Sequence, residues 1–354
     1  MWRSEPSPCI PDCAMNPRDA GYRMPAEWDA HSATWLAWPS HADLWGAQLG
    51  RARAAFAEVV SAIASGESVE VLVPDAAEEA KARTALPSER VHLHRVPFGD
   101  IWLRDIAPIF LNDDSGRTAT LVCRFNGWGG KFVLAHDDRV AARVADIVGG
   151  TRFDCPFVLE GGSVEVDGEG TVLATRQCLL NTNRNHQDTA QDVERWLLGA
   201  LGASTALWFE RGLINDHTDG HVDTIARFAH PGALVLMEPR SGDDPNRDAL
   251  RQIVGDAKAM VDARGRRLEI ACIPSPGRVT SEDGTVMPAS YVNYYIANAN
   301  VVVPTYGTRW DAEAVQRIGA LFPDRRTIGV DARAILTGGG AFHCITQQQP
   351  RGAR

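Results

Sequence analysis

The stretch from Thr337 to Pro350, TGGGAFHCITQQQP, sets one thiol, Cys344, behind three glycines and a histidine and ahead of three glutamines. Glycine gives up more conformational freedom on folding than any other residue. Three in a row before a cysteine therefore point to backbone that passes close to something. A lone cysteine is more often a small buried hydrophobe than a nucleophile, so the other stretches with chemical potential must decide between the two.

Three of them carry carboxylates. In TDGHVDTIARF (218–228), read as a strand entering a core at Ile225 and Phe228, His221 and Asp223 lie two apart and face the same side. The alternative is a solvated loop with a hydrogen-bonded histidine, because HxD is a short pattern. DIWLRDIAPIF (100–110), read as a strand start, supplies Asp100, Trp102, Arg104 and Asp105. A tryptophan beside carboxylates cradles a flat cation by cation–π contact and charge-assisted hydrogen bonds; alternatively, Arg104 pairs with one of the two aspartates. LEGGSVEVDGEGT (159–171) places Glu160 before two glycines, or else forms a β-turn beside an acidic edge strand.

One thiol, one imidazole and several carboxylates suit a particular reaction. A guanidinium carbon is resonance-stabilised and keeps its positive charge at physiological pH. Attack on it requires fixed anions to hold the group and a soft, strong nucleophile to add. The ammonia expelled needs a proton, and an imidazole can give one and then activate water. Two rival chemistries use some of the same residues. His217, Asp219, His221 and Asp223 can be drawn as ligands of a dinuclear metal centre that releases urea, which leaves Cys344 idle. A non-catalytic polyamine- or arginine-binding protein would have no use for the thiol.

Positioning groups so far apart in sequence is the task of the elements between them. Helical periodicity is clear in QLGRARAAFAEVVSAIA, where Leu49, Phe56, Val59, Val60 and Ile63 share a face. Further helices are expected at 76–84, 137–148, 188–200, 246–263 and 311–321. Short apolar runs alternate with them: SVEVLVP, TATLVCRF, GTVLAT, ALVLME, RLEIACIP and NVVVPTYG. No linker divides the chain, which predicts an α/β fold. The polar clusters around Asp105, Glu160, Asp223 and Cys344 recur at roughly 55 to 65 residues, or twice that, as repeated supersecondary units do. Units set around an axis would bring those four residues to one centre.

Composition bounds the partners. Apolar residues make up 44% of 354 and charged residues 23%, with a net charge of −9. That balance disfavours nucleic acid or an anionic membrane surface and is compatible with a cationic ligand. No run of about 18 apolar residues exists to span a membrane. Seven cysteines without a CxxC pair suggest reduced thiols in a cytoplasm. Residues 1–21 read as a disordered extension without a secretory signal.

The ordered segments YRMPAEWDAHSATWLAWP, DIWLRDIAPIF, FNGWGGK, LEGGSVEVDGEGT, LLNTNRN, TDGHVDTIARF, YVNYYIANANVVVPTYG and GGGAFHCITQQQP resemble the agmatine deiminases and bacterial-type peptidylarginine deiminases of the guanidine-modifying (pentein) superfamily. The resemblance runs from about Tyr22 to about Pro350. It implies a single catalytic domain over 22–350, followed by a tail at 351–354, folded as a five-bladed α/β propeller of pseudo-repeated ββαβ units. It places the nucleophile on Cys344, the acid/base on His221, the guanidinium-binding carboxylates on Asp105 and Asp223, the carboxylate that orients the histidine on Glu160, and a pocket wall on Trp102. A small cationic guanidine, agmatine, is the implied substrate, with no cofactor or metal; a homo-oligomer is left open. Ala341 and Phe342 stand where the family often has Asn and Ile, and His217 where acidic or polar residues are common.

Overall fold

The computed structural model describes residues 16–352. Its strands form five sheets in a mixed α/β arrangement, and one local pattern recurs in them. An antiparallel pair is followed by a helix and then by a strand parallel to the second member of the pair. In one sheet Ala226–His230 pairs antiparallel with Ala233–Glu238, helix Arg247–Ala257 crosses over, and Glu269–Pro274 returns parallel. The next repeats this with Tyr295–Ile296, Asn300–Thr305, helix Asp311–Leu321 and Arg326–Asp331. Ile109–Asp113, Thr118–Arg124, helix Asp137–Val148 and Thr151–Val158 do the same, as do Val164–Val166, Thr171–Thr175, helix Ala190–Leu201 and Thr205–Phe209.

The remaining sheet joins the two ends of the chain. Gln347–Pro350 pairs antiparallel with His31–Ala37, which runs parallel to Ser68–Val73 after helix Leu49–Ala64. Strand Gln347–Pro350 follows Cys344 directly, so the thiol is tethered to a sheet edge built from the opposite end of the sequence.

The elements follow from their composition. Helix Leu49–Ala64 buries Phe56, Val59, Val60 and Ile63 completely, with Leu49 half-buried at its start, each large side chain contributing about 1.5–3 kcal/mol by leaving water. The middle strands, such as Asn300–Thr305 with Val301, Val302 and Val303, are buried on both faces, as parallel strands covered by helices must be. The helix expected over 246–263 ends at Ala257. Beyond it Asp262 accepts from the Arg264 and Arg266 N–H groups and turns the chain back, chemistry that favours a turn over a further helical turn. Of the extension expected to be disordered, residues 16–21 instead form an ordered turn, because the Arg18 N–H bonds to Gly199 O and the Tyr22 N–H to Pro17 O; the rest of it, with Cys9 and Cys13, lies outside the described residues. Among the described residues, no helix is long and apolar enough to cross a membrane.

Candidate active site

The local geometry around the expected site residues differs from the extended reading. Val222–Thr224 is a single 3₁₀ turn, and its strand begins only at Ala226. The turn arises because the Thr218 hydroxyl accepts from the His221 N–H while the Thr224 hydroxyl donates to His221 O, both stronger local options than a ladder with no partner strand. Likewise Leu103–Ile106 is a helical turn, not a strand start, and the strand opens at Ile109 after Pro108. His221 and Asp223 are nevertheless both buried in one place. The turn delivers them there; strand alternation does not.

A cavity of about 230 Å³ is lined by Trp102, Asp105, Trp128, Phe132, His217 and Cys344, among others. His221, Asp223 and Glu160 stand directly behind its wall. Asp223 Oδ2 is 3.6 Å from Cys344 Sγ, His221 Nδ1 is 3.8 Å from Asp105 Oδ1, and His221 Nε2 is 3.8 Å from Glu160 Oε2. The structure thus gathers all six expected residues: Trp102, Asp105, Glu160, His221, Asp223 and Cys344.

Two glycine clusters make this closeness possible. A side chain on Gly162 would meet His221 Nδ1 at 2.6 Å and Asp105 Oδ1 and Asp223 Oδ2 at 3.0 Å each, so the imidazole and both carboxylates converge on that one backbone position. In the glycine run, Gly338 lies against Trp102, Gly339 (φ +106°) against His217, and Gly340 against Trp102 and the Cys344 side chain. Each would clash if it carried a Cβ. The three glycines therefore let the backbone form the cavity wall itself.

The electrostatics divide the carboxylates. Burial pushes Asp105 up, opposed by His221 and reinforced by Asp223 and Glu160, while the Trp128 indole N–H (2.8 Å) and the Gly162 N–H (2.9 Å) fix its oxygens. Trp128 makes this contact from a left-handed backbone (φ 52°), a strained conformation of the kind held at functional sites. Asp223 and Glu160 are buried as well, yet both lie below the ordinary carboxylate value. His343 and then His221 outweigh burial for Asp223, and His221 and Arg184 do so for Glu160. Burial would lower His221, but Asp105, Cys178 and Glu160 together hold it well above its usual value. The Cys344 thiol is pushed well up by burial, then by Asp223 and Asp105, and receives a hydrogen bond from Asn293 Nδ2 at 3.2 Å.

Other side chains were not singled out by the sequence. Arg184 donates to Glu160 at 2.7 Å from the LLNTNRN segment, and Cys178 sits fully buried beside His221 and Glu160. His343 bridges Asp223 (2.7 Å) and Glu27 (2.9 Å). Position next to the thiol was the only signal for His343. Arg104 pairs with neither Asp100 nor Asp105: it reaches Glu27, Gln347 and Gln348, which accounts for two of the three glutamines after the thiol. Asp100 instead accepts from the Trp45 and Trp102 indoles. The four residues drawn as a dinuclear centre do not assemble. Asp219 is taken by Lys131 (2.7 Å) and Arg184 (2.8 Å), and His217 packs on Phe132 at the cavity mouth. Among the described residues the metal-ligand types that do cluster are Glu160, Cys178 and His221, with atoms within 4.8 Å of one another.

Fold and cavity together define a mixed α/β protein with a thiol, an imidazole and paired carboxylates gathered at one cavity. The sequence signature of the Porphyromonas-type peptidyl-arginine deiminases matches residues 23–350, and the chain belongs to that family. It is 39% identical over 357 residues to an agmatine deiminase of Stutzerimonas stutzeri, covering 94% of this chain and 97% of the relative, and 38% identical to one of Ectopseudomonas mendocina at the same coverage. Among solved structures, an agmatine deiminase of Enterococcus faecalis superposes with a TM-score of 0.90 at 32% identity, over 96% of this chain and 98% of that one.

Proposed function

We propose that this protein is an agmatine deiminase, converting agmatine and water to N-carbamoylputrescine and ammonia through a covalent intermediate on Cys344. The observation that carries this reading is the placement of Cys344, Asp105, Asp223 and His221 about one cavity, in a chain whose high-coverage relatives are named for that activity. The five sheets with their repeated pattern support a finer description of the fold, a five-bladed α/β propeller closing as one catalytic domain over residues 22–350. An acidic chain with unpaired cysteines fits a cytoplasmic setting.

The steps follow from the charges. Asp105 and Asp223 bind the guanidinium, and Trp102 packs on its flat face. A cation placed between the carboxylates cancels the fields that hold the Cys344 thiol up, so the thiol loses its proton on binding and the thiolate adds to the guanidinium carbon. His221, kept protonated by its anionic neighbours, gives its proton to one amino group, which departs as ammonia and leaves an S–C thiouronium bond. Glu160, itself held by Arg184, steadies the ring. The now neutral His221 takes a proton from water, the hydroxide adds to the same carbon, the C–S bond breaks to return the thiolate, and the proton left on the new hydroxyl passes to the released ammonia as the ureido C=O forms. In sum, guanidinium plus water gives a ureido group plus ammonium.

The test is incubation with agmatine, free arginine and a blocked arginyl peptide, with the products identified by mass. The reading expects agmatine to gain about 1 Da as nitrogen and hydrogen are exchanged for oxygen, at a specificity constant about a hundredfold above that for arginine. Among the described residues lining the cavity there is no lysine or arginine to meet the arginine carboxylate: Lys131 is held by Asp219, Arg227 is consumed by Glu27 and Glu165, and Arg211 is exposed and turned to Gln252. Faster citrullination of the peptide would transfer the assignment to peptidyl substrates.

A further inference from the structure

His343 has both ring nitrogens against carboxylates. Nδ1 lies 2.7 Å from Asp223 Oδ2 and Nε2 lies 2.9 Å from Glu27 Oε2, with all three side chains buried. A neutral imidazole carries one N–H and one lone pair, so in this place it would press its lone pair against an anion. Only the doubly protonated ring donates at both ends. The surrounding charges favour the same state. Glu27, Glu165 and Asp223 are three buried carboxylates, and the guanidiniums paired within the group are two, Arg104 and Arg227. A third positive charge closes the balance, and His343 is the group in position to carry it.

The anchor on the far side is firm. Glu27 also accepts from the Ile296 N–H at 2.9 Å and faces Arg227 at 2.8 Å and Arg104 at 3.2 Å. The near side is the site itself: Asp223 Oδ2 is shared between His343 and the Cys344 thiol, while Asp223 Oδ1 is buried with no hydrogen-bond partner. One oxygen of Asp223 is thereby tied down and the other kept for an incoming cation.

We propose that His343 is a positioning residue for the guanidinium, a buried imidazolium clamped between Glu27 and Asp223 that keeps Asp223 ionised and turned toward the substrate. This rests on the deiminase reading above for the identity of the cation, and the geometry of the clamp does not depend on it. The charged and titratable groups facing His343 are Asp223, Glu27, Glu165, Arg104, whose Nε donates to His343 O, and Cys344.

The test has two parts. In His343→Gln the amide carries no charge and has a single nitrogen to set against the two carboxylates. The expected result is a fall in kcat/KM for agmatine of about ten- to a hundredfold, the range for loss of a charge-assisted hydrogen bond. That loss is expressed mainly in KM, and the acid limb of the pH profile moves upward as Asp223 becomes easier to protonate. A purely structural role would lower the folded yield but leave the KM and acid limb of the folded enzyme unchanged, and that outcome overturns the proposal. The second part uses the wild-type protein and holds whether or not the variant folds. Nitrogen-15 NMR at the pH of the activity assay is expected to find both His343 nitrogens protonated, because each faces a carboxylate. A single protonated nitrogen overturns the clamp. Failure of the wild-type protein to deiminate any guanidine would count against the deiminase reading alone, since the NMR result is independent of turnover.

Discussion

Two buried groups of charge meet at Asp223, and they are completed differently. Around Glu27, the carboxylates of Glu27 and Glu165 face Arg104, Arg227 and His343 at 2.8 to 3.2 Å. Around Asp105, the same density of charge is left open: both His221 nitrogens, Glu160 Oε2 and Asp223 Oδ1 are buried with no hydrogen-bond partner. Burying a polar group without a partner costs free energy. The first group is a frame, whose charges answer one another. The second holds its charges in reserve, and a bound cation with several N–H donors would complete it.

Changes on the open side should therefore remove turnover and spare the fold, and changes in the frame should cost mainly stability, except at His343, which touches Asp223 and so costs KM as well. The largest effect is expected for Cys344→Ala, which loses the attacking atom: turnover should fall at least about a thousandfold, with agmatine binding largely retained when measured by calorimetry. More than a few per cent residual activity would end the covalent scheme. On the frame side, Arg227→Met strands Glu165 as a buried anion without its cation and takes from Glu27 one of its three cationic partners. It should lower unfolding free energy by about 3 to 5 kcal/mol in urea melts, while the rate per folded molecule changes far less than in Cys344→Ala. A stable but inactive Arg227→Met would erase the distinction between the two groups.

Asp105→Asn sharpens the contrast within one residue. Its loss leaves the bound guanidinium short of an anion, worth about 3 kcal/mol or more and thus on the order of two to three decades in rate. Stability should stay level or rise. The Asp105 carboxyl lies above its ordinary value in the fold because burial penalises its charge, so ionisation works against folding as pH climbs through that raised value, and the neutral amide removes that cost. Asp223→Asn should match it in rate but lose stability, since it also unpairs His343. Equal stability of the two variants would mean that Asp223 is not part of the frame.

The sequence made the open group readable and left most of the frame hidden, for a physical reason. Asp105, Glu160, Asp223 and Cys344 each lie in a compact polar stretch beside glycines, and the spacing of those stretches follows the repeat that the sheets display. Frame residues have no such local mark. Arg104 finds Gln347 and Gln348 more than 240 residues away, and a buried arginine such as Arg227, on a strand among apolar neighbours, looks like any surface arginine. His343 was visible only as the residue before the thiol. Even where residues were identified, their backbone was misjudged: side-chain hydroxyls at Thr218 and Thr224 curl the His221 segment into a turn, a contest of local hydrogen bonds that hydrophobic alternation does not register.

The smallest change concerns Glu160, which belongs partly to each group. One oxygen is held by Arg184 at 2.7 Å, as a frame residue would be, and the other faces His221 at 3.8 Å without a hydrogen bond. In Glu160→Gln the side chain keeps its length and an oxygen for Arg184, but the anion near the imidazole is gone. Asp105 and Cys178 remain beside His221, so the ring stays in place and the rate at the optimum should drop only about tenfold, within the range of a general acid that is mispositioned and not lost. The diagnostic is the alkaline limb. His221 sits well above its ordinary value, and Glu160 is one of the neighbours that put it there; without that charge the proton leaves at lower pH, so activity should fall away earlier on the alkaline side. The acid limb, set by protonation of Asp105 and Asp223, should hold or move slightly downward, since Glu160 is one of the charges that raise Asp105. A shift of the acid limb alone, with the alkaline limb fixed, would place Glu160 wholly in the frame and leave His221 to be held by Asp105.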